Sequence, residues 1–212
     1  MLSTMHILLL VPGLGNYDRI LKFWTKVFTK DDFKIIVCNV DWKKGERNFE
    51  DKINIVENRI VELVSKKHEV SVMGLSAGGS IALAAFHALN KKVRFAVTVC
   101  SCLKLNYDNT KREKEIFELF PSYRKAVQFF ENTVLPELTL EEKKRILTIR
   151  PIFDEIVPVQ TMIIEGANNF RLFLARHISL YIILFFFSSY IFKFINSHLS
   201  SFPYGELRRK PI

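Results

Sequence analysis

Short apolar runs alternate with longer amphipathic segments over most of the chain. Six of the apolar runs are continuous enough to be strands that are buried on both faces of a sheet. They cover residues 5–11, 33–40, 70–74, 93–102, 146–153 and 170–175. Between the first four runs lie two segments with apolar residues at helical spacing and a third that is rich in small residues. These three segments predict helices over residues 17–29, 49–67 and 77–90.

Strands separated by helices of this length predict right-handed βαβ units and a mostly parallel sheet. We therefore expect an α/β fold, a three-layer αβα sandwich with about six strands. The length of 212 residues, with 49% hydrophobic and 25% charged residues, fits a single domain over residues 1–212. Residues 103–145 interrupt the alternation with a charged, amphipathic helical pattern, which predicts a helical insertion lying on the sheet.

The motif Gly74-Leu75-Ser76-Ala77-Gly78 follows the third apolar run and precedes the small-residue helix. A serine on a sharp strand-to-helix turn takes a strained backbone conformation that lifts its hydroxyl out of the sheet. The glycines two residues to either side leave room for the neighbouring strand and helix. The free N–H groups at the start of a helix favour a developing negative charge. The sequence therefore predicts that Ser76 is a nucleophile.

With this motif, the chain resembles the α/β-hydrolase superfamily from Met5 to about His177, in a minimal form that starts almost directly on the strand before the oxyanion loop. Residues 8–15 look like that loop, with Pro12 where the family more often has histidine before Gly13. The resemblance implies that Leu14 and Ala77 donate the two backbone N–H groups of an oxyanion hole. It also places the insertion, residues 103–145, at the position of a small helical lid. Exposed phenylalanines there would make an apolar acyl-binding cleft; the candidates are Phe117, Phe120, Phe129 and Phe130.

The resemblance also implies an acid and a histidine after the serine, in that order. Asp154 follows the fifth predicted strand in a segment like the family's acid loop, with Glu155 as the weaker alternative. His177 follows the sixth predicted strand at close to the family's usual spacing from the acid, and His198 is the second choice. Arg176 stands where the family usually has glycine, which keeps open the possibility that the fold carries no functional base.

Charge and cysteine content limit the expected partners. The net charge of +9 comes from scattered lysines and arginines, with no nucleic-acid motif, which indicates a solubilising surface and no nucleic-acid partner. The three cysteines, Cys38, Cys100 and Cys102, lie in apolar runs without a CxxC pair, so a reducing, cytoplasmic location is the default. No metal-ligand spacing occurs, and the implied chemistry needs no cofactor. The expected partner is a small-molecule acyl substrate.

Residues 178–195 form an 18-residue segment whose only charge is Lys193. This very apolar segment predicts a C-terminal helix packed on the sheet, or else a membrane anchor or a dimer contact. Its 18 residues are at the lower limit of the length that spans a membrane. Three functions stay open at this point. They are a serine esterase that works through an acyl-enzyme, a non-catalytic binding protein with the same fold, and a membrane-tethered hydrolase.

Overall fold

The structure, a computed structural model, describes residues 5–15, 19–29, 33–105 and 111–175, together with Ile191, Lys193 and Phe194. The described strands are β1 (His6–Val11), β2 (Phe33–Val37), β3 (Glu69–Leu75), β4 (Val93–Val99), β5 (Ile146–Phe153) and β6 (Asn168–Ala175). The helices are α1 (Arg19–Phe28), α2 (Glu50–Ser65), α3 (Gly78–Ala88), α4 (Lys111–Leu119), α5 (Pro121–Phe129), α6 (Leu135–Glu137) and α7 (Leu140–Lys144). A π-helical turn, Phe130–Val134, joins α5 to α6, and a 3-10 turn, Val159–Met162, precedes β6.

The six strands form one sheet in the order β2-β1-β3-β4-β5-β6, and each of its five pairings is parallel. Right-handed crossovers place α1 on one face, because the chain moves from β1 to β2 in one direction. They place α2 and α3 on the opposite face, because the chain then moves in the other direction. The three-layer α/β fold predicted from the sequence is therefore confirmed. Strand order reverses between β1 and β3, and such a switch point forms a crevice at the carboxyl ends of the strands.

The strands match the apolar runs because a parallel sheet covered on both faces leaves no polar face. All six residues of β1 and six of the seven in β3 are buried. The bounds of β5 are those predicted, whereas β4 ends at Val99 and not at Cys102. The backbone turns at Cys100, which has a φ of +50°. A strand cannot continue through a residue in this left-handed conformation.

Helices α4 to α7 lie between β4 and β5, so the predicted insertion is largely helical. The expectation of exposed phenylalanines is wrong. Phe117 and Phe130 are buried, and Phe120 and Phe129 are partly buried. They face the core because the insertion packs onto the rest of the domain. For example, the ring centroid of Phe129 lies 5.4 Å from that of Phe49.

The apolar segment 178–195 lies outside the described residues except at three positions. Ile191 is buried, Lys193 is exposed, and the buried ring of Phe194 meets that of Phe95 on β4 edge-on, with 5.7 Å between centroids. At these three positions, two side chains are buried and one is exposed. Among the described helices, none is long and apolar enough to span a membrane.

Candidate active site

Ser76 lies at the sharp turn between β3 and α3. Its φ is +49°, a conformation that L-residues rarely adopt and that commonly marks functional sites. The Ser76 N–H donates to the carbonyl of Val99 at 2.9 Å, and the Ser76 carbonyl accepts from Gly79 N–H at 3.1 Å. Between Val70 and Phe86, a stretch described throughout, Ser76 alone is not buried. The fold therefore holds a strained, partly exposed serine at the start of a buried helix.

The glycines of the motif allow two close approaches. A Cβ on Gly74 would lie 2.4 Å from Gly79 Cα, so β3 and α3 touch at this point. A Cβ on Gly78 would lie 2.3 Å from the carbonyl oxygen of Val11 and 2.8 Å from that of Pro12. The start of α3 therefore packs directly on the end of β1. At both glycines, backbone atoms of a neighbouring segment occupy the position that a side chain would need, as the sequence analysis expected.

The loop after β1 lies against the Ser76 turn. A Cβ on Gly13 would lie 3.0 Å from Ser76 Cβ and 3.6 Å from the backbone nitrogen of Ala77. The structure thus brings the segment that contains Leu14 beside Ser76 and Ala77, at the switch point between β1 and β3. Ala77 is fully buried, and Leu14 is partly buried against the core. Both expected oxyanion donors belong to backbone that adjoins the serine.

Asp154 follows β5 directly and is 4% exposed. Its Oδ1 accepts hydrogen bonds from the N–H groups of Ile156 at 2.8 Å and Val157 at 2.9 Å. These bonds fix the carboxylate at the same sheet edge as Ser76, since both follow the carboxyl ends of parallel strands. Two strand spacings, about 10 Å, separate β3 from β5. Glu155, the alternative acid, is partly exposed.

The three described histidines lie away from Ser76. His6 on β1 is paired with Glu69, the first residue of β3. Ser76 follows the other end of β3, so the length of that strand, about 20 Å, separates the two. The His6 ring bonds Ser71 Oγ at 3.1 Å. His87 is near the far end of α3, with its Nδ1 2.9 Å from Glu142. His177 and His198 lie outside the described residues; β6 ends at Ala175, which is paired with Phe153, the residue before Asp154.

A buried tryptophan and lysine support the loop after β1, and sequence reasoning missed both. The indole N–H of Trp42 donates to the Pro12 carbonyl at 3.2 Å. Lys52 is 2% exposed, and its ammonium donates to the carbonyl oxygens of Val40 and Asp41 and to a Glu46 carboxylate oxygen. The helical spacing could have identified Lys52 as a buried residue, because it stands four residues before buried Val56 on the core-facing side of α2.

A group of buried polar side chains joins the insertion to the end of β4. Glu113 of α4 is 1% exposed and lies near the thiol of Cys102, as does Tyr123 of α5. Burial, together with the nearby negative charge of Asp154, raises the pKa of Glu113 to about 7. Burial likewise raises the pKa of Tyr123 well above its ordinary value. Near neutral pH, Glu113 is therefore only partly ionised and Tyr123 stays protonated where the insertion meets the acid loop.

The three cysteines are free and buried. Burial raises the pKa of the Cys38 thiol to about 11 and also raises the pKa values of the Cys100 and Cys102 thiols. Reactivity of a thiol depends on its thiolate form. These three thiols stay protonated near neutral pH, so none is in the reactive thiolate form.

Comparison with solved structures gives several matches over almost the whole chain. A structure described as "LipS and LipT, two metagenome-derived lipolytic enzymes" matches at 14% identity, a TM-score of 0.63, and 92% and 95% coverage of this chain and of that one. A lipase-esterase related protein from Clostridium acetobutylicum matches at 17% identity, a TM-score of 0.61, and 91% and 95% coverage. A 2-hydroxy-6-oxo-6-phenylhexa-2,4-dienoate hydrolase from a Rhodococcus species matches at 12% identity, a TM-score of 0.59, and 92% and 91% coverage. No family model and no curated protein sequence matches.

Proposed function

Since the chain has the α/β-hydrolase fold, we propose that it is a serine hydrolase that cleaves an ester or related acyl bond of a small molecule, with Ser76 as nucleophile. One observation carries this proposal. Ser76 is a strained, accessible residue in an otherwise buried segment, and it lies against the Gly13–Leu14 loop at the switch point of the sheet. The structural neighbours described as lipolytic or lipase-esterase related support the acyl substrate.

In the proposed mechanism His177 accepts the Ser76 proton while the serine oxygen attacks the acyl carbonyl. The N–H groups of Leu14 and Ala77 donate to the oxyanion that forms, and each such donor is worth about 10²–10³ in rate. Asp154 orients the imidazole and stabilises its charged form. His177 then protonates the leaving group, and water, activated by the same histidine, hydrolyses the acyl-enzyme. The free thiols fit a reducing compartment, so we place this activity in the cytoplasm.

Hydrolysis of a series of p-nitrophenyl esters with increasing acyl length tests the proposal. We expect turnover by the wild type and a loss of at least about 10⁴-fold in the Ser76→Ala variant, the size expected when a nucleophile is removed. Ser80→Ala is the matched control, because Ser80 is a 1% exposed serine one helical turn along α3. Its turnover should equal that of the wild type. A folded wild type without turnover on any ester would contradict the proposal, as would full turnover by Ser76→Ala.

Two further variants test the base. His177→Ala should lose turnover to a similar extent, and His198→Ala should retain it. The reverse result would assign the base to His198. Retention of turnover by both variants would contradict a histidine base.

A further inference from the structure

Trp42 connects the loop after β2 to the loop after β1. Its side chain is 4% exposed, and its indole N–H donates to the carbonyl oxygen of Pro12 across 30 residues of sequence. Pro12 immediately precedes Gly13, whose Cα lies against the Ser76 turn. The only polar group of the indole is therefore hydrogen-bonded to the peptide group that leads into the proposed oxyanion loop.

The Pro12 carbonyl is held from two sides. From one side, the indole N–H of Trp42 donates a hydrogen bond to it. From the other, the start of α3 packs so closely that a Cβ on Gly78 would lie 2.8 Å from the Pro12 oxygen. Because a peptide unit is planar, fixing this oxygen also fixes the direction of the Gly13 N–H. The next peptide group, which carries the Leu14 N–H, is joined to this one through Gly13, and Gly13 packs so closely on the Ser76 turn that an added Cβ would lie 3.0 Å from Ser76 Cβ.

Trp42 is itself held by a buried cation. All three N–H bonds of the Lys52 ammonium have acceptors, at 3.1 Å on Val40, 3.1 Å on Asp41 and 2.7 Å on Glu46. The ammonium nitrogen also lies 5.1 Å from the centroid of the Trp42 ring. Asp41 has a φ of +52°, a strained conformation that brings two successive carbonyls to the same ammonium. A loop with this much support fixes the indole in one position.

The same loop contacts the helical insertion. The ring of Tyr123 on α5 meets that of Trp42 edge-on, with 5.9 Å between centroids. Two backbone bonds join the loop to the insertion, from Gly45 N–H to the Leu119 carbonyl at 2.9 Å and from Ser122 N–H to the Glu46 carbonyl at 2.8 Å. Contacts thus run without a break from α4 and α5 through Trp42 to Pro12.

We propose that Trp42 is a positioning residue of the hydrolytic site, which orients the oxyanion loop through the Pro12 carbonyl and couples it to the insertion. This inference rests on the proposed function. Trp42 does not touch the reacting atoms. It acts by holding one backbone donor in the direction that a tetrahedral intermediate needs, so its contribution belongs to kcat and not to substrate affinity.

The test is Trp42→Phe, which keeps an aromatic ring and removes the N–H. We expect kcat for p-nitrophenyl ester hydrolysis, per active molecule, to fall about tenfold, the effect of one neutral hydrogen bond on the barrier. KM should stay within twofold. Titration with a fluorophosphonate to its end point counts active molecules, so unfolded protein does not contribute to the rate.

Trp24→Phe is the matched control, because Trp24 is a fully buried tryptophan of α1 with its ring on Phe28. It should lower thermal stability and leave kcat per active molecule unchanged. If Trp42→Phe also leaves kcat unchanged, the inference is refuted even though the wild type hydrolyses esters. A wild type that neither hydrolyses esters nor reacts with the probe would refute the proposed function instead.

A second replacement serves if Trp42→Phe fails to fold. Benzothienylalanine at position 42 keeps the shape of the indole and replaces its N–H by sulfur. The same tenfold fall in kcat supports the inference, and wild-type kcat overturns it.

Discussion

Gly78→Ala tests the contact between the start of α3 and the proposed oxyanion loop. The added Cβ would lie 2.3 Å from the carbonyl oxygen of Val11 and 2.8 Å from that of Pro12, and both are backbone atoms. Relief of this overlap needs the two segments to separate by about 1 Å, since van der Waals contacts of carbon are optimal only near 3.5 Å. A displacement of this size at a catalytic group costs on the order of 10²-fold in rate. Overpacking adds a destabilisation of about 1–3 kcal/mol.

The assay is the rate of fluorophosphonate labelling, measured beside thermal unfolding of the same sample. We expect labelling of Gly78→Ala to be about 100-fold slower than that of the wild type, with an unfolding midpoint lower by about 2–12 °C. The control is Gly15→Ala, because a Cβ on Gly15 meets nothing within 4 Å. It should match the wild type in both measurements. Labelling of Gly78→Ala at the wild-type rate would refute the claim that this contact sets the geometry of the site.

Three other changes have defined outcomes. Lys52→Met leaves two carbonyls and a carboxylate without their buried partner and should destabilise the fold by about 3–5 kcal/mol in urea unfolding; Lys66→Met, at an exposed helix ion pair, should change little. The pKa of Glu113 in the folded chain is raised to about 7, so its stabilising effect is complete below its ordinary value of 4.5 and is lost as the pH rises through 7. The free energy of unfolding of the wild type should therefore fall by an amount on the order of 2 kcal/mol between pH 5 and 8, and that of Glu113→Gln should not show this fall. Parallel pH profiles of wild type and variant would contradict this. Asp154→Asn keeps the oxygen that accepts the two backbone N–H bonds and should fold normally while turnover falls about 10⁴-fold; Glu155→Gln should retain turnover, and the reverse pattern would assign the acid to Glu155.

The sequence was a good guide where one local pattern has one structural solution. Continuous apolar runs predicted six strands, and the glycine spacing around Ser76 predicted a tight strand-to-helix turn that the φ of +49° confirms. The end of β4 was predicted too late. The residues after Val99 remain apolar in type, and nothing in their composition reveals the left-handed backbone of Cys100.

Features that depend on distant contacts were not predictable in this way. The amphipathic pattern of residues 103–145 predicted helices, but only packing decides that Phe117 and Phe130 turn to the core. The partners of Lys52 are largely backbone carbonyls, which converge only once the loop after β2 has folded. Trp42 carried no sequence signal, because its acceptor is the carbonyl of a residue on another strand's loop.

Mapping of the fluorophosphonate adduct tests the central claim most directly. Tryptic cleavage yields the peptide 68–91, which contains Ser71, Ser76 and Ser80. Ser71 and Ser80 are 0% and 1% exposed, so the peptide carries its own internal controls. Fragmentation by mass spectrometry should place a single adduct on Ser76. An adduct on any other residue, or none on the folded chain, would contradict the assignment of Ser76 as nucleophile.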